Sequence, residues 1–155
     1  MVALDVILNA KRVILDLPAS SKKQVLQELA KRAAKETGLP IQHIFDALLD
    51  RERLGSTGVG HGIAIPHGTL KELTEIYGFF ARLEKPIDFD AADDEPVDLI
   101  FVLLAPECAG ADHLKTLTKL SRIFRDEAAC KKLRELDTPD ALLHVFTGNL
   151  TSYAA

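Results

Sequence analysis

The chain has 155 residues, 47% of them hydrophobic and 27% charged, a size and balance that fit one globular domain and exclude a disordered or membrane-embedded chain. Its formal net charge of −4 argues against nucleic acid as the main partner, because gripping a phosphate backbone needs clustered, uncompensated Lys and Arg. Cys108 and Cys130 are too few for a disulfide framework and lack C-x-x-C spacing, as expected of a reduced, cytoplasmic protein. The N-terminus shows no signal-peptide pattern, and no uncharged apolar run reaches the roughly 18 residues of a membrane span.

In chain order, Val13 to Leu17 is β-branched at its start and closed by Pro18, which predicts a strand at a sheet edge. Ser21 to Gln24 has capping-box spacing, and Val25, Leu26, Leu29, Ala30 and Ala33 form one apolar face before Gly38, which predicts a helix. Pro40 suits a first helical position, and Ile41, Ile44, Phe45, Leu48 and Leu49 carry a second helix toward Arg53. Arg51 and Arg53 fall in its last turn, where the helix dipole favours cations, so Arg53 reads as a solvated charge. Five of the nine glycines then fall within the fourteen residues Gly55 to Gly68. Such density lets a backbone approach a ligand closely, which marks the stretch as a candidate site.

Ile63 to Ile65 predicts a short strand ending at His67, because Pro66 forces its predecessor to be extended. Ile76 to Leu83 is a second strand of this middle region. Val97 to Leu104 is a third, whose near-continuous hydrophobicity fits a strand covered on both faces at the sheet's centre. Glu84 to Glu95 reads as a polar connection. Three helices follow, from about Asp112 to Phe124, from about Asp126 to Leu136, and from Thr138-Pro139 with Leu142, Leu143 and Phe146 inward. Helices at both ends of a strand-rich middle imply a layered α/β sandwich whose strand order the sequence does not give.

The glycine-rich stretch lacks the Gly-Lys-Ser/Thr ending of a P-loop, and it misses G-x-G-x-x-G because Ile63 stands three residues after Gly60. Pro66 occupies the place where a histidine phosphatase carries arginine. A metal could draw on His61, His67, Cys108, Asp112 and His113, although the usual histidine spacing and paired cysteines are absent. A simpler chemistry needs one imidazole. Neutral near pH 7, His67 could attack phosphorus without a metal and form a phosphoramidate that passes the group on. Donors for the phosphoryl oxygens could come from a rim formed by Ser56, Thr57, Gly58, Gly60, His61, Gly62 and Gly68. His113, at or just before a helix start, would be held neutral by the dipole and could donate one N–H. His43 and His144 read as structural, with His144 among packing residues, and Cys130 reads as an ordinary core residue.

The run Arg51 to Gly68 with its Ala-Ile-Pro-His motif, followed by Pro86-Ile-Asp-Phe89, Pro96-Val-Asp-Leu99 and His113-Leu-Lys-Thr-Leu117, resembles the enzyme IIA domains of the fructose and mannitol type in the sugar phosphotransferase system. Within them it looks most like the nitrogen-regulatory IIA proteins. The resemblance implies a single domain over residues 1–155, built as a three-layer sandwich with a central mixed β-sheet flanked by helices on both faces. It implies that His67 accepts a phosphoryl group from a small histidine phosphocarrier protein (HPr/NPr-like), that His113 supports that group without being phosphorylated, and that Arg51 stabilises its charge. No cofactor and no metal are implied. His61 stands where relatives tend to carry Asn or another polar residue, and it could line the rim or donate to the phosphate. The expected acceptors are regulatory target proteins, in nitrogen, potassium or carbon regulation, or alternatively the IIB domain of a sugar uptake system. A protein-binding regulator that is never phosphorylated is the competing reading from another class.

Overall fold

Ser21 caps the first long helix through its side chain, which accepts from the Gln24 N–H, while the Gln24 side-chain amide oxygen takes the Ser20 N–H and hydroxyl. This helix, α1 (Lys22–Thr37), ends at Gly38 with φ 77°, a left-handed conformation that glycine adopts without a Cβ penalty. α2 (Ile41–Leu54) follows Pro40 and buries Ile44, Phe45 and Leu48. The computed structural model describes residues 7–154, and among these the remaining long helices are α3 (Gly110–Arg125), α4 (Glu127–Glu135) and α5 (Pro139–Ala154), with short 3-10 turns at Ala10–Arg12 and Glu107–Ala109.

Six strands form one mixed sheet: β1 (Val13–Leu17), β2 (Gly58–Gly60), β3 (Ile63–Ala64), β4 (His67–Leu70), β5 (Tyr77–Ile87) and β6 (Val97–Pro106). The order is β1-β5-β6-β3-β2, with β4 also pairing with β6. β1 lies at the edge, parallel to β5, and β5 is antiparallel to β6. β3 and β4 both run parallel to β6, and β2 turns back antiparallel to β3. β6 is therefore central, as its hydrophobicity predicted. Its alternate residues divide between two cores: Ile100, Val102 and Leu104 pack with α1 and α2, whereas Leu99, Phe101 and Leu103 pack with α3, α4 and α5. The result is the three-layer sandwich.

Phe146 of α5 meets Phe80, Phe101 and Phe124 edge-on, with centroids 5.1, 5.4 and 5.9 Å away. Each such pair adds about 0.5–1.5 kcal/mol beyond its area burial, so this one residue fixes the helix to the sheet. A polar anchor lies nearby. Arg82 of β5, only 8% exposed, donates to the carbonyls of Leu133, Arg134 and Leu136 at 3.2, 3.3 and 2.6 Å, satisfying the C-terminal end of α4. Its Nε also lies 3.4 Å from Asp16.

Three expectations change. The strand expected to end at His67 is interrupted, and His67 instead opens β4. Pro66 has no N–H to give a ladder, although its carbonyl still accepts from Leu103 N at 3.0 Å, so β3 and β4 are two parts of one line along β6. The connection expected from Glu84 to Glu95 is partly strand, since β5 continues to Ile87, which pairs with Val97. Ile87 and the fully buried Phe89 supply apolar anchors that outweigh the charged residues around them. His144 is exposed on α5 between the inward Leu142 and Val145, rather than packed.

Candidate functional site

His67, Arg51 and His113 converge from three elements. The first residue of β4 supplies His67, the last turn of α2 supplies Arg51, and the first turn of α3 supplies His113. The Nδ1 of His67 lies 2.9 Å from the Ile65 carbonyl oxygen. A carbonyl only accepts, so the proton is assigned to Nδ1 and the lone pair to Nε2. Arg51 Nε donates to that Nε2 at 3.1 Å, and its Nη1 donates to the Gly55 carbonyl at 2.8 Å. The His113 ring stands 5.6 Å from that of His67, centroid to centroid, tilted by 54°. Its Nδ1 is buried and has no hydrogen-bond partner among the described residues.

Burial lowers the pKa of His67, and the nearby Arg51 cation lowers it further. The hydrogen bond to Ile65 and the Glu52 carboxylate push the other way without reversing the shift. Burial, then the proximity of His67, lowers the pKa of His113 as well. Two neutral imidazoles thus share a site with one permanent cation, an arrangement suited to receiving a dianion.

Glu52 is a residue the sequence reading missed. Its carboxylate is buried on α2 and accepts the Thr57 backbone N–H, at 3.3 and 3.2 Å to its two oxygens, and the Thr57 hydroxyl. Lys22 Nζ reaches the same group at 2.6 Å. The signal was present, for Glu52 lies in phase with the apolar stripe of Ile44, Phe45 and Leu48.

The expected rim does not close around His67. Gly58 to Ala64 folds into a hairpin, with His61 (φ 57°) and Gly62 (φ 81°) at its turn. Gly62 O accepts from Leu99 N, whereas His67 pairs with Leu103, so the turn lies four residues of β6 away, about 13 Å at strand rise. Gly60, His61 and Gly62 are therefore removed from the His67 neighbourhood. His61 is exposed, its N–H donates to Asp93 at 2.9 Å, and its carbonyl accepts from Arg134, which also forks onto Asp98 at 2.9 and 3.0 Å. The backbone bond from His61, and then one from Glu95, holds the Asp93 carboxyl below its ordinary pKa. A groove of about 530 Å³ beside this turn is lined by Val59, His61, Ile63, Phe124, Cys130 and Arg134.

Ser56, Thr57 and Gly58 lie at the hairpin's other end, but their groups are already engaged. The Ser56 hydroxyl donates to Phe89 O at 2.7 Å and accepts from Gly58 N, and the Thr57 hydroxyl is held by Glu52. Gly58 is needed for close packing, because a Cβ there would sit 2.8 Å from that of Ala91. Gly68 follows His67 and lies against the Ala47 carbonyl. Arg53 is exposed, 3.4 Å from Asp50, as expected of a solvated charge. His43 is exposed beside Glu72, Cys108 is exposed, and Cys130 is buried with its thiol on Phe124 O and its pKa raised by burial. Among the described residues no group of three or more His, Cys, Asp or Glu is arranged to hold a metal ion, and no helix is long and apolar enough to cross a membrane.

Residues 6–148 match the family model described as phosphoenolpyruvate-dependent sugar phosphotransferase system, EIIA 2. The chain belongs to this family. A nitrogen regulatory protein of Bradyrhizobium diazoefficiens is 54% identical to it over 129 residues, covering 83% of this chain and 84% of that one. A nitrogen regulatory protein of Klebsiella oxytoca is 42% identical over 142 residues, covering 91% and 88%. The crystal structure of the nitrogen regulatory protein IIA-Ntr of Neisseria meningitidis superposes with a TM-score of 0.90 at 36% identity, covering 93% of this chain and 99% of that chain. The EIIA sandwich predicted from the motifs is thus the fold observed, and the likeness to nitrogen-regulatory members extends through sequence and structure.

Proposed function

We propose that this EIIA protein is a cytoplasmic histidine phosphocarrier in which Nε2 of His67 accepts a phosphoryl group from a small histidine phosphocarrier protein. The observation that carries this reading is the Nδ1–Ile65 bond, which leaves the Nε2 lone pair directed toward Arg51. In the transfer, that lone pair forms a bond to phosphorus as the donor's N–P bond breaks. The donor ring, protonated on its other nitrogen, leaves as a neutral imidazole, and His67 keeps its Nδ1 proton on Ile65 and becomes the protonated phosphoimidazole, so no proton has to cross the site. Arg51 exchanges Nε2 for a phosphoryl oxygen as partner, and His113 supports a second oxygen. The nitrogen-regulatory names of the relatives favour a regulatory protein as the phosphorylation-sensitive partner over a sugar permease.

Incubation with phosphoenolpyruvate, enzyme I and the cognate carrier should give an acid-labile label on the wild-type protein and none on His67→Ala. Retained label in that variant would remove His67 from the role. Because burial lowers the pKa of His67 from its ordinary 6.5, the nucleophile stays neutral as pH falls through 6.5. The labelling rate, corrected for donor and enzyme I, should hold at that pH and decline only below it; a half-maximal rate at 6.5 would contradict the assignment. The regulatory reading has its own measurement. Phosphorylated protein offered to a fructose-type IIB domain should transfer slowly, and rapid quantitative transfer would favour sugar uptake.

A further inference from the structure

Glu52 is a charge in an unexpected place. Its side chain is 3% exposed, and removing a carboxylate from water is costly unless it is paired and fully hydrogen-bonded. Lys22 pairs with it from α1, while the Thr57 N–H and hydroxyl complete its shell. An apolar residue in phase with Leu48 would have met the packing need, so the carboxylate calls for another explanation.

The bonds beyond Thr57 provide one. The Thr57 carbonyl accepts from Ile65 N at 3.0 Å, and the Ile65 carbonyl receives His67 Nδ1 at 2.9 Å. A continuous path thus runs from Glu52 through Thr57 and Ile65 to the ring nitrogen that must stay protonated. The preceding residue, Arg51, reaches the opposite nitrogen of the same ring. Two consecutive residues of one helix therefore act on His67 from both sides, one directly and one through the backbone. Pro66 separates β3 from β4 at this point, so the Ile65 carbonyl is not fixed by an unbroken ladder and depends on what holds residue 65.

We infer that Glu52 is a positioning residue for the His67 nucleophile, fixing the Ile65 carbonyl through Thr57 and thereby selecting the tautomer with its lone pair on Nε2. This rests on the reading of His67 as the phosphoryl acceptor. Wrong-tautomer imidazoles are poor catalytic groups even in intact geometry, so selecting one form matters to rate as well as to structure.

The test measures the His67 tautomer by ¹⁵N NMR of the imidazole, alongside phosphoryl labelling by phosphoenolpyruvate, enzyme I and the carrier. Glu52→Gln and Thr57→Val should each convert the single Nδ1–H form into a mixture and slow labelling by at least about tenfold. Thr57→Ser, which restores the hydroxyl, should restore both. An unchanged single tautomer in Glu52→Gln and Thr57→Val would overturn the inference whatever happens to the rate, since rate loss alone is what a merely structural residue would produce. A mixed tautomer with wild-type labelling would overturn it as well. Thr57→Val leaves the Lys22–Glu52 pair in place and carries the test if Glu52→Gln fails to fold. Absence of label on the wild-type protein would instead defeat the phosphocarrier reading, while the tautomer comparison still decides the part played by Glu52.

Discussion

The Gly55 to Gly68 stretch carries one histidine at its hairpin turn and one at its end and puts them to opposite uses. At the end both ring nitrogens of His67 are engaged, by Ile65 and Arg51, and burial lowers its pKa. At the turn the structure uses His61 chiefly for its backbone, held by Asp93 on one side and Arg134 on the other, with the residue exposed. The lesson concerns the glycines. They looked like the material of a phosphate cradle, whereas Gly60 (φ 99°) and Gly62 (φ 81°) shape a hairpin turn that leads away from the nucleophile. Motif density alone could not distinguish a loop that surrounds a site from one that leaves it.

This contrast can be broken by substitution at the nucleophile or at the turn. The largest effect is expected at the nucleophile: Arg51→Ala should reduce the initial labelling rate by about 10²-fold or more, as loss of one charge-stabilising donor does elsewhere. A wild-type rate would mean that the guanidinium only shields the lone pair. Next comes Gly62→Ala, whose new Cβ would meet Arg134 Nη2 at 2.6 Å and Asp98 Oδ1 at 2.8 Å on a backbone with positive φ. It should cost about 1–3 kcal/mol in urea denaturation while leaving labelling of the folded fraction unchanged. The smallest effect belongs to His61→Ala, expected within about 0.5 kcal/mol of wild type and at full labelling rate. A tenfold loss of labelling there would show that the turn and the nucleophile are functionally joined.

Much of the fold could be read from local chemistry. Ser21 and Gly38 bracket α1 because one supplies a capping oxygen and the other a left-handed stop, and both are local devices. β6 declared itself through near-continuous hydrophobicity, broken only at Asp98, since two helical layers cover both of its faces from Leu99 onward. Strand order was not legible because it depends on pairings between distant residues, such as Val13 with Phe80. The continuation of β5 through Glu84 and Lys85 was hidden for a related reason: its support comes from Ile87 meeting Val97 across the sheet. At the site, the family motif carried His67, Arg51 and His113, and the structure brings all three together. Glu52 was passed over because a lone carboxylate on a helix usually faces water, although it lies in phase with the apolar stripe, and the positions of Lys22 and Thr57 show what satisfies it when buried. His144 was misplaced for the opposite reason, as apolar neighbours on both sides made a solvent-facing position look internal.

Arg82 gives the sandwich a property that its oily cores could not. Apolar burial is non-directional, whereas a hydrogen bond names its partner and its angle. The Nη1 of Arg82 reaches from the sheet to three named carbonyls at the end of α4 and shares its two hydrogens among them, and hydrogen bonds weaken steeply once distance and angle depart from their narrow range. It acts as a dowel, setting the registry of that helix on the sheet. Arg134 lies on the same last turn of α4 and clasps the hairpin at His61, so the placement of the hairpin is indexed through the helix to the middle of β5.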